Sequence, residues 1–347
     1  MRVRIVSARA LLLAAAACAF LLAAGAGART DARQITLGQP AAQPAAKVSE
    51  EERKAAEKIN LAKDNAAKLA AVTEFMAKYP QSALRVRIGE AFAALVNSTD
   101  DPAQRITHAQ EYLKLFNGTG EPDRVTASLL DAYIITNKSD DAFRLGEAWL
   151  AKNPDDVDVM RRLAVVSLNE AIKGNAKFVA KGNAYSSKAI EIIEADRKPT
   201  ATNAAEWVSY KTKWSPSIYR EGGFLAMSAG DRANAKARLA KAAELKNPDP
   251  AVYAYLGQMN DEEYAQMAEA YKKMPAGAEK QARLKEVEAQ MDKAIEYYAR
   301  AIAVAGDKPE YENLRTQVRP GLEEYYKFRH NGSTNGLKEL IDKFKTP

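Results

Sequence analysis

Three aromatic residues, Trp207, Tyr210 and Trp214, recur at i, i+3 and i+7 within the stretch NAAEWVSYKTKW. That spacing places them on one face of a helix. There they could stack on a peptide or a sugar ring, or dock the helix against a neighbour. Arg161 and Arg220 carry planar guanidinium forks suited to acidic side chains or a peptide carboxylate. Ordinary salt bridges between helices are the competing use. The acidic doublets Asp140-Asp141, Asp155-Asp156 and Glu262-Glu263 fall at expected helix starts or turns, where solvated caps explain them better than paired catalytic carboxylates. His108 and His330 are far apart, and the single cysteine, Cys18, lies in the leader, so no metal and no cofactor is expected. The chain has no Gly-x4-Gly-Lys-Ser/Thr loop and no Gly-x-Ser-x-Gly elbow. The expectation is a protein that is not an enzyme. The alternative is a helical solenoid or toroid enzyme acting on cell-wall glycan or peptide, with Trp207 and Trp214 as sugar platforms.

The elements that must position these residues are helices. From Pro216 to Gly257 the chain reads as a helix, a Gly230-Asp231 turn, a second helix, a stop at Pro248, and the first helix again. Tyr219, Gly222 and Gly223 return at one common offset as Tyr253, Leu256 and Gly257. Gly223, Ala235 and Ala242 are small enough to let two helices approach, with Tyr219 and Leu239 filling the space around them. Asp231 and Asp249 are N-cap residues, and Pro250 suits a first helical turn.

A 34-residue helix–turn–helix period with aromatic-x2-Leu-Gly and then Ala-x3-large apolar (Ala235, Leu239) resembles the tetratricopeptide repeat, TPR. The resemblance implies an all-α fold, a right-handed α-solenoid of antiparallel helix hairpins, and a general role in binding a protein or peptide. It also implies that the first helix of each hairpin lines a concave groove. By that mapping the groove carries Asp131, Ile134, Arg161, Val165, Asn169, Arg220, Phe224 and Met227. The Lys/Asn/Arg clamp of chaperone-binding TPR proteins is not reproduced. The phrase from Phe75 to Ser82 and the tail from Tyr325 to Pro347 are similar to exported bacterial TPR proteins.

Earlier hairpins are expected at 49–78, 81–116 and 121–153, the first opened by a Ser49/Glu52 capping box. Two insertions break the period. The interval from Ala164 to Gly223 is too long for one repeat and too short for two, which extends a second helix over 177–196 and adds another around 202–214. The second insertion, about 263–288, lengthens both helices of the next hairpin, with a turn at Pro275-Gly277 and a stripe of Leu284, Val287, Met291, Ile295, Tyr298 and Ile302. Such an arm could contact a partner or a second copy of the chain. Leu337, Leu340, Ile341 and Phe344 suit a C-terminal capping helix.

Residues 1–28 have a basic start, an apolar middle and a small-residue end, the pattern of a cleaved signal peptide. An N-terminal anchor is the alternative. Residues 29–48, with Pro40 and Pro44, suit a flexible linker to a solenoid over 49–347. A periplasmic or secreted protein follows. Setting aside Arg2, Arg4 and Arg9 leaves 48 basic against 45 acidic residues, too even a balance to predict nucleic-acid binding.

Overall fold

The computed structural model describes residues 48–200 and 202–345. The signal-peptide reading and nearly all of the linker reading lie outside them. Among the described residues there are fourteen α-helices and no strand, and within each of two units most helices adjacent in sequence pack against one another in an all-α, solenoid-like arrangement. The chain divides into two compact units at residues 154 and 155.

The first unit holds α1 (Glu50–Asn60), α2 (Asn65–Lys78), α3 (Arg85–Ser98), α4 (Pro102–Leu115), α5 (Asp123–Ile135) and α6 (Ser139–Leu150). Both halves of the Ser49/Glu52 capping box form, and Asp64 and Asp101 cap the next helices through the amides of Ala67 and Gln104. The core is aromatic. Tyr112 stacks on Phe116 with ring centroids 4.9 Å apart, and Phe92 meets Tyr112 edge-on at 5.5 Å. Arg85 closes the edge of this cluster, paired with Glu121 at 2.8 Å and donating to the Leu115 carbonyl. That ties the start of α3 to the turn between α4 and α5.

The second unit holds three hairpins, α7 (Val157–Ile172) with α8 (Val179–Glu194), α9 (Ala204–Ser228) with α10 (Arg232–Glu244), and α11 (Pro250–Lys273) with α12 (Ala278–Ala305), followed by α13 (Glu312–Arg329) and α14 (Leu337–Asp342), which both pack on α12. Gly230 turns the chain with φ +79°, and Asp231 then caps α10 through the Asn234 amide. Asp249 caps α11 through Ala251, with Pro250 in the first turn. The expected close crossings are present. A Cβ on Gly223 would lie 2.7 Å from Leu239 Cγ, and one on Gly257 would lie 2.4 Å from the Tyr298 ring. In both pairs a glycine of the first helix receives a large side chain of the second. Tyr298 therefore occupies the Leu239 position, displaced along the sequence by the second insertion.

Between hairpins the links are polar as well as apolar. Arg238 of α10 donates to Asn183 and Ser187 of α8, and Lys236 of α10 pairs with Glu263 of α11 at 2.6 Å. Gln290 of α12 joins that pair by donating to Glu263 and Asn260. The network sits where a repeat of ordinary length would end and braces the base of the long arm. Leu337 and Ile341 of α14 are buried, while Leu340 and Phe344 are half-buried, with Arg300 of α12 over the Phe344 ring at 4.7 Å.

One expectation is corrected. The residues 202–214 do not form a helix of their own. Helix α9 runs through Pro216 without interruption, so the aromatic stretch is an N-terminal extension of the repeat's first helix. Pro216 has no N–H to give the Thr212 carbonyl, which is the usual reason a helix stops there. Here Asn203 and Glu206 form a capping box that fixes the start, and Trp207 anchors the first turn, so continuation outweighs the proline. Replacing Pro216 with Ala restores the missing donor. The change is expected to stabilise the chain by roughly 1–2 kcal/mol, the helix-interior cost of proline less its effect on the unfolded chain. Chemical denaturation of the full chain measures it.

Candidate functional site

Helices α7 and α9 and the start of α11 bring together several of the residues singled out from the sequence. Asp158 lies three and four positions before Arg161 and Arg162, on the same face of α7. It accepts from Arg161 at 3.0 Å and from Arg162 at 2.7 Å. Arg220 of α9 reaches the neighbouring Glu221 at 2.9 Å and Asp249, the cap of α11, at 3.2 Å. Three guanidinium groups thus meet three carboxylates. Nothing in this balance selects an acidic partner.

Glu221 is the most enclosed charge of the group, with 3 % of its surface exposed. One carboxylate oxygen accepts from Arg220, and the other is buried without a hydrogen-bond partner. Burial pushes the Glu221 carboxyl up, an effect that the neighbouring Arg220 and Arg161 only partly offset. Tyr210 is similar: its hydroxyl is buried without a partner, and burial raises it above the ordinary phenol range. Trp214 lies between cations, with the Arg161 guanidinium 4.0 Å and the Lys213 ammonium 4.8 Å from its ring centre. Arg161 therefore carries two constraints, a carboxylate and an aromatic face.

The aromatic triplet divides. Trp207 is 4 % exposed, stacks on Tyr210 with centroids 5.8 Å apart, and donates its indole N–H to Asp196 at 2.9 Å. Its ring cannot serve as a platform for a sugar. Trp214 is half-buried and held by Arg161. The triplet docks the α9 extension on its own unit: Asp196, at the end of α8, receives Trp207 and also Lys211.

The expected groove residues fall in both units. In the first unit, Asp131 and Ile134 are half-buried on α5. In the second, Val165, Asn169 and Met227 are half-buried, while Phe224 is buried and meets Tyr255 edge-on at 5.3 Å. Phe224 is therefore a packing residue between α9 and α11 rather than a contact surface. Arg161 and Arg220 are likewise committed to internal pairs, Arg161 within its own helix and Arg220 across to α11. The half-buried Val165, Asn169 and Met227 are the surface that this register leaves in the second unit.

Sequence reading missed Glu221. Adjacent residues on a helix point in different directions, so the Arg220–Glu221 pair has no spacing signature. The Asp158 pairs do have one, at i+3 and i+4. No protein-family model matches the chain, and no curated protein matches it.

Proposed function

We propose that the chain is a non-enzymatic scaffold of TPR-like hairpins that binds a protein or peptide partner in a bacterial envelope. One observation carries this reading. Gly223 against Leu239 and Gly257 against Tyr298 are the same helix crossing, set one repeat apart on the first helices and maintained across an insertion. A repeated crossing of that kind builds a frame whose first helices share one face. The periplasmic or secreted setting rests on the pattern of residues 1–28, and the partner class on the TPR resemblance. The contact surface in the second unit is assigned to Val165, Asn169 and Met227, since the arginines of the same register are neutralised internally.

Site-specific photocrosslinking in envelope extracts tests this assignment. A crosslinking side chain at Val165 or Met227 should capture a discrete partner, and one at Leu245, exposed by 37 % at the end of α10, should not. Met227→Glu should abolish capture from Val165. Equal capture from Leu245 and Met227, or none from either groove position, would overturn the reading.

A further inference from the structure

Three Asn-Gly pairs occur in the chain: Asn117-Gly118, Asn331-Gly332 and Asn335-Gly336. In such a pair the amide nitrogen of the glycine can attack the carboxamide carbon of the asparagine before it, because no glycine side chain stands in the way. All six residues are exposed. Solvent access therefore does not rank the pairs, but the state of the attacking nitrogen does.

Two of the three nitrogens are committed. The Gly118 amide donates to Glu121 at 2.8 Å, and Glu121 is itself held by Arg85. The Gly332 amide donates to the Lys327 carbonyl at 2.7 Å, closing the end of α13. An N–H held in this way is harder to deprotonate and cannot turn toward the neighbouring side chain. The Gly336 amide has no acceptor among the described residues.

The oxygen of the same peptide unit is held instead. The Tyr326 hydroxyl donates to the Asn335 carbonyl at 2.9 Å, and that carbonyl is bonded to the Gly336 nitrogen. When the N–H loses its proton, negative charge spreads onto this oxygen, and a donor already aimed there stabilises it. Tyr326 is itself fixed, 6 % exposed and stacked on His330 with ring centroids 4.0 Å apart. Gly336 has φ +86°, and a Cβ there would lie 2.7 Å from the Tyr326 hydroxyl, so the turn presses a glycine against this donor.

We propose that Asn335 is a site of spontaneous deamidation, in which the Gly336 nitrogen attacks Asn335 Cγ and the Tyr326 hydroxyl promotes the attack. Hydroxide takes the N–H proton, a bond forms between the nitrogen and Cγ, and Nδ2 leaves as ammonia with a proton from water. The ring formed is a succinimide. Water then opens it at either carbonyl, giving aspartate or isoaspartate, with no change in oxidation state. Both products add a negative charge, and isoaspartate also adds one carbon to the main chain. The change falls just before Leu337, a buried residue of α14, which packs on α12.

Peptide mapping by mass spectrometry, after incubation of the full chain at mildly alkaline pH, reads each pair separately. Conversion at Asn335 should be several-fold faster than at Asn117 or Asn331. In urea the three rates should converge, because each pair then meets the same solvent. Tyr326→Phe keeps the ring and removes the donor, and it should slow Asn335 several-fold while leaving Asn117 unchanged. Equal rates in the native chain, faster conversion at Asn117 or Asn331, or an order that persists in urea would overturn the proposal. So would an unchanged or faster rate at Asn335 in Tyr326→Phe, because the hydroxyl would then be a bystander or a restraint. Should Tyr326→Phe not fold, the wild-type rates in the native chain and in urea decide.

Discussion

Leucine in place of Arg220 is expected to destabilise the chain by about 3–5 kcal/mol, the range for removing one partner of a buried ion pair. Arg220 is the only hydrogen-bond donor to Glu221 among the described residues, and Glu221 already has one oxygen unsatisfied. Without Arg220 neither oxygen of a carboxylate 3 % exposed has a hydrogen-bond partner. Asp249 would suffer less, because it is nearer the surface and still caps α11 through the Ala251 amide. The residue can escape part of the penalty by taking up a proton. Because burial already pushes the Glu221 carboxyl up, removing the cation pushes it further in the same direction. The loss should therefore be larger at neutral pH and shrink as pH falls, and urea denaturation across that range measures it. The double variant Arg220→Leu, Glu221→Leu removes both charges and should recover most of the loss. A double variant no better than the single one would show that Arg220 acts through packing rather than charge.

How far such behaviour could be foreseen depends on the kind of signal each residue leaves. Turns and caps were legible because their chemistry is local. Ser49, Asp231 and Asp249 each precede a helix and each accept a backbone amide where expected. The insertion in the long hairpin was legible because Ala294 and Tyr298 repeat the Ala235–Leu239 spacing, and Tyr298 does meet Gly257. Pro216 misled for the opposite reason. Its local preference is to end a helix, but the Asn203 cap and the buried Trp207 favour one continuous helix. Propensity yielded to tertiary anchoring.

The inner face was legible only in outline. The TPR resemblance offers a groove register on α7 and α9, but a repeat signature carries no information on whether a charge there meets a partner or a neighbour. Arg161 is stacked on Trp214 and paired with Asp158, and Phe224 is packed on Tyr255. These outcomes depend on the separation between hairpins, which a repeat signature leaves open. Asp261 shows the same limit. Met227 and Asp261 share a register position, yet the second is claimed by tyrosines from α12 and α13, both distant in sequence.

Of the described glycines Gly182 leaves the least room for a Cβ, and alanine there is expected to cost about 2–3 kcal/mol, at the upper end for overpacking a core. A Cβ on Gly182 of α8 would lie 2.2 Å from the Cβ and Oγ of Ser167 on α7. Ser167 is fully buried, and its hydroxyl donates to the Leu163 carbonyl of its own helix. A Cβ cannot rotate away, so the α7 backbone itself must move. On the far side Leu225 Cδ1 stands 3.4 Å from the same point and limits the retreat of α8. Against this, Gly→Ala in a helix normally gains up to about 1 kcal/mol. Gly222→Ala supplies the contrast. Its new Cβ would meet Ile190 Cδ1 at 2.9 Å, the end of a flexible side chain, so the propensity gain should roughly cancel the strain. Thermal and urea denaturation of both variants should separate them clearly. The pair Ser167→Gly, Gly182→Ala moves the small residue to the other helix and should regain most of the lost stability. If the exchange restores nothing, the glycine is required by the α8 backbone rather than by the crossing.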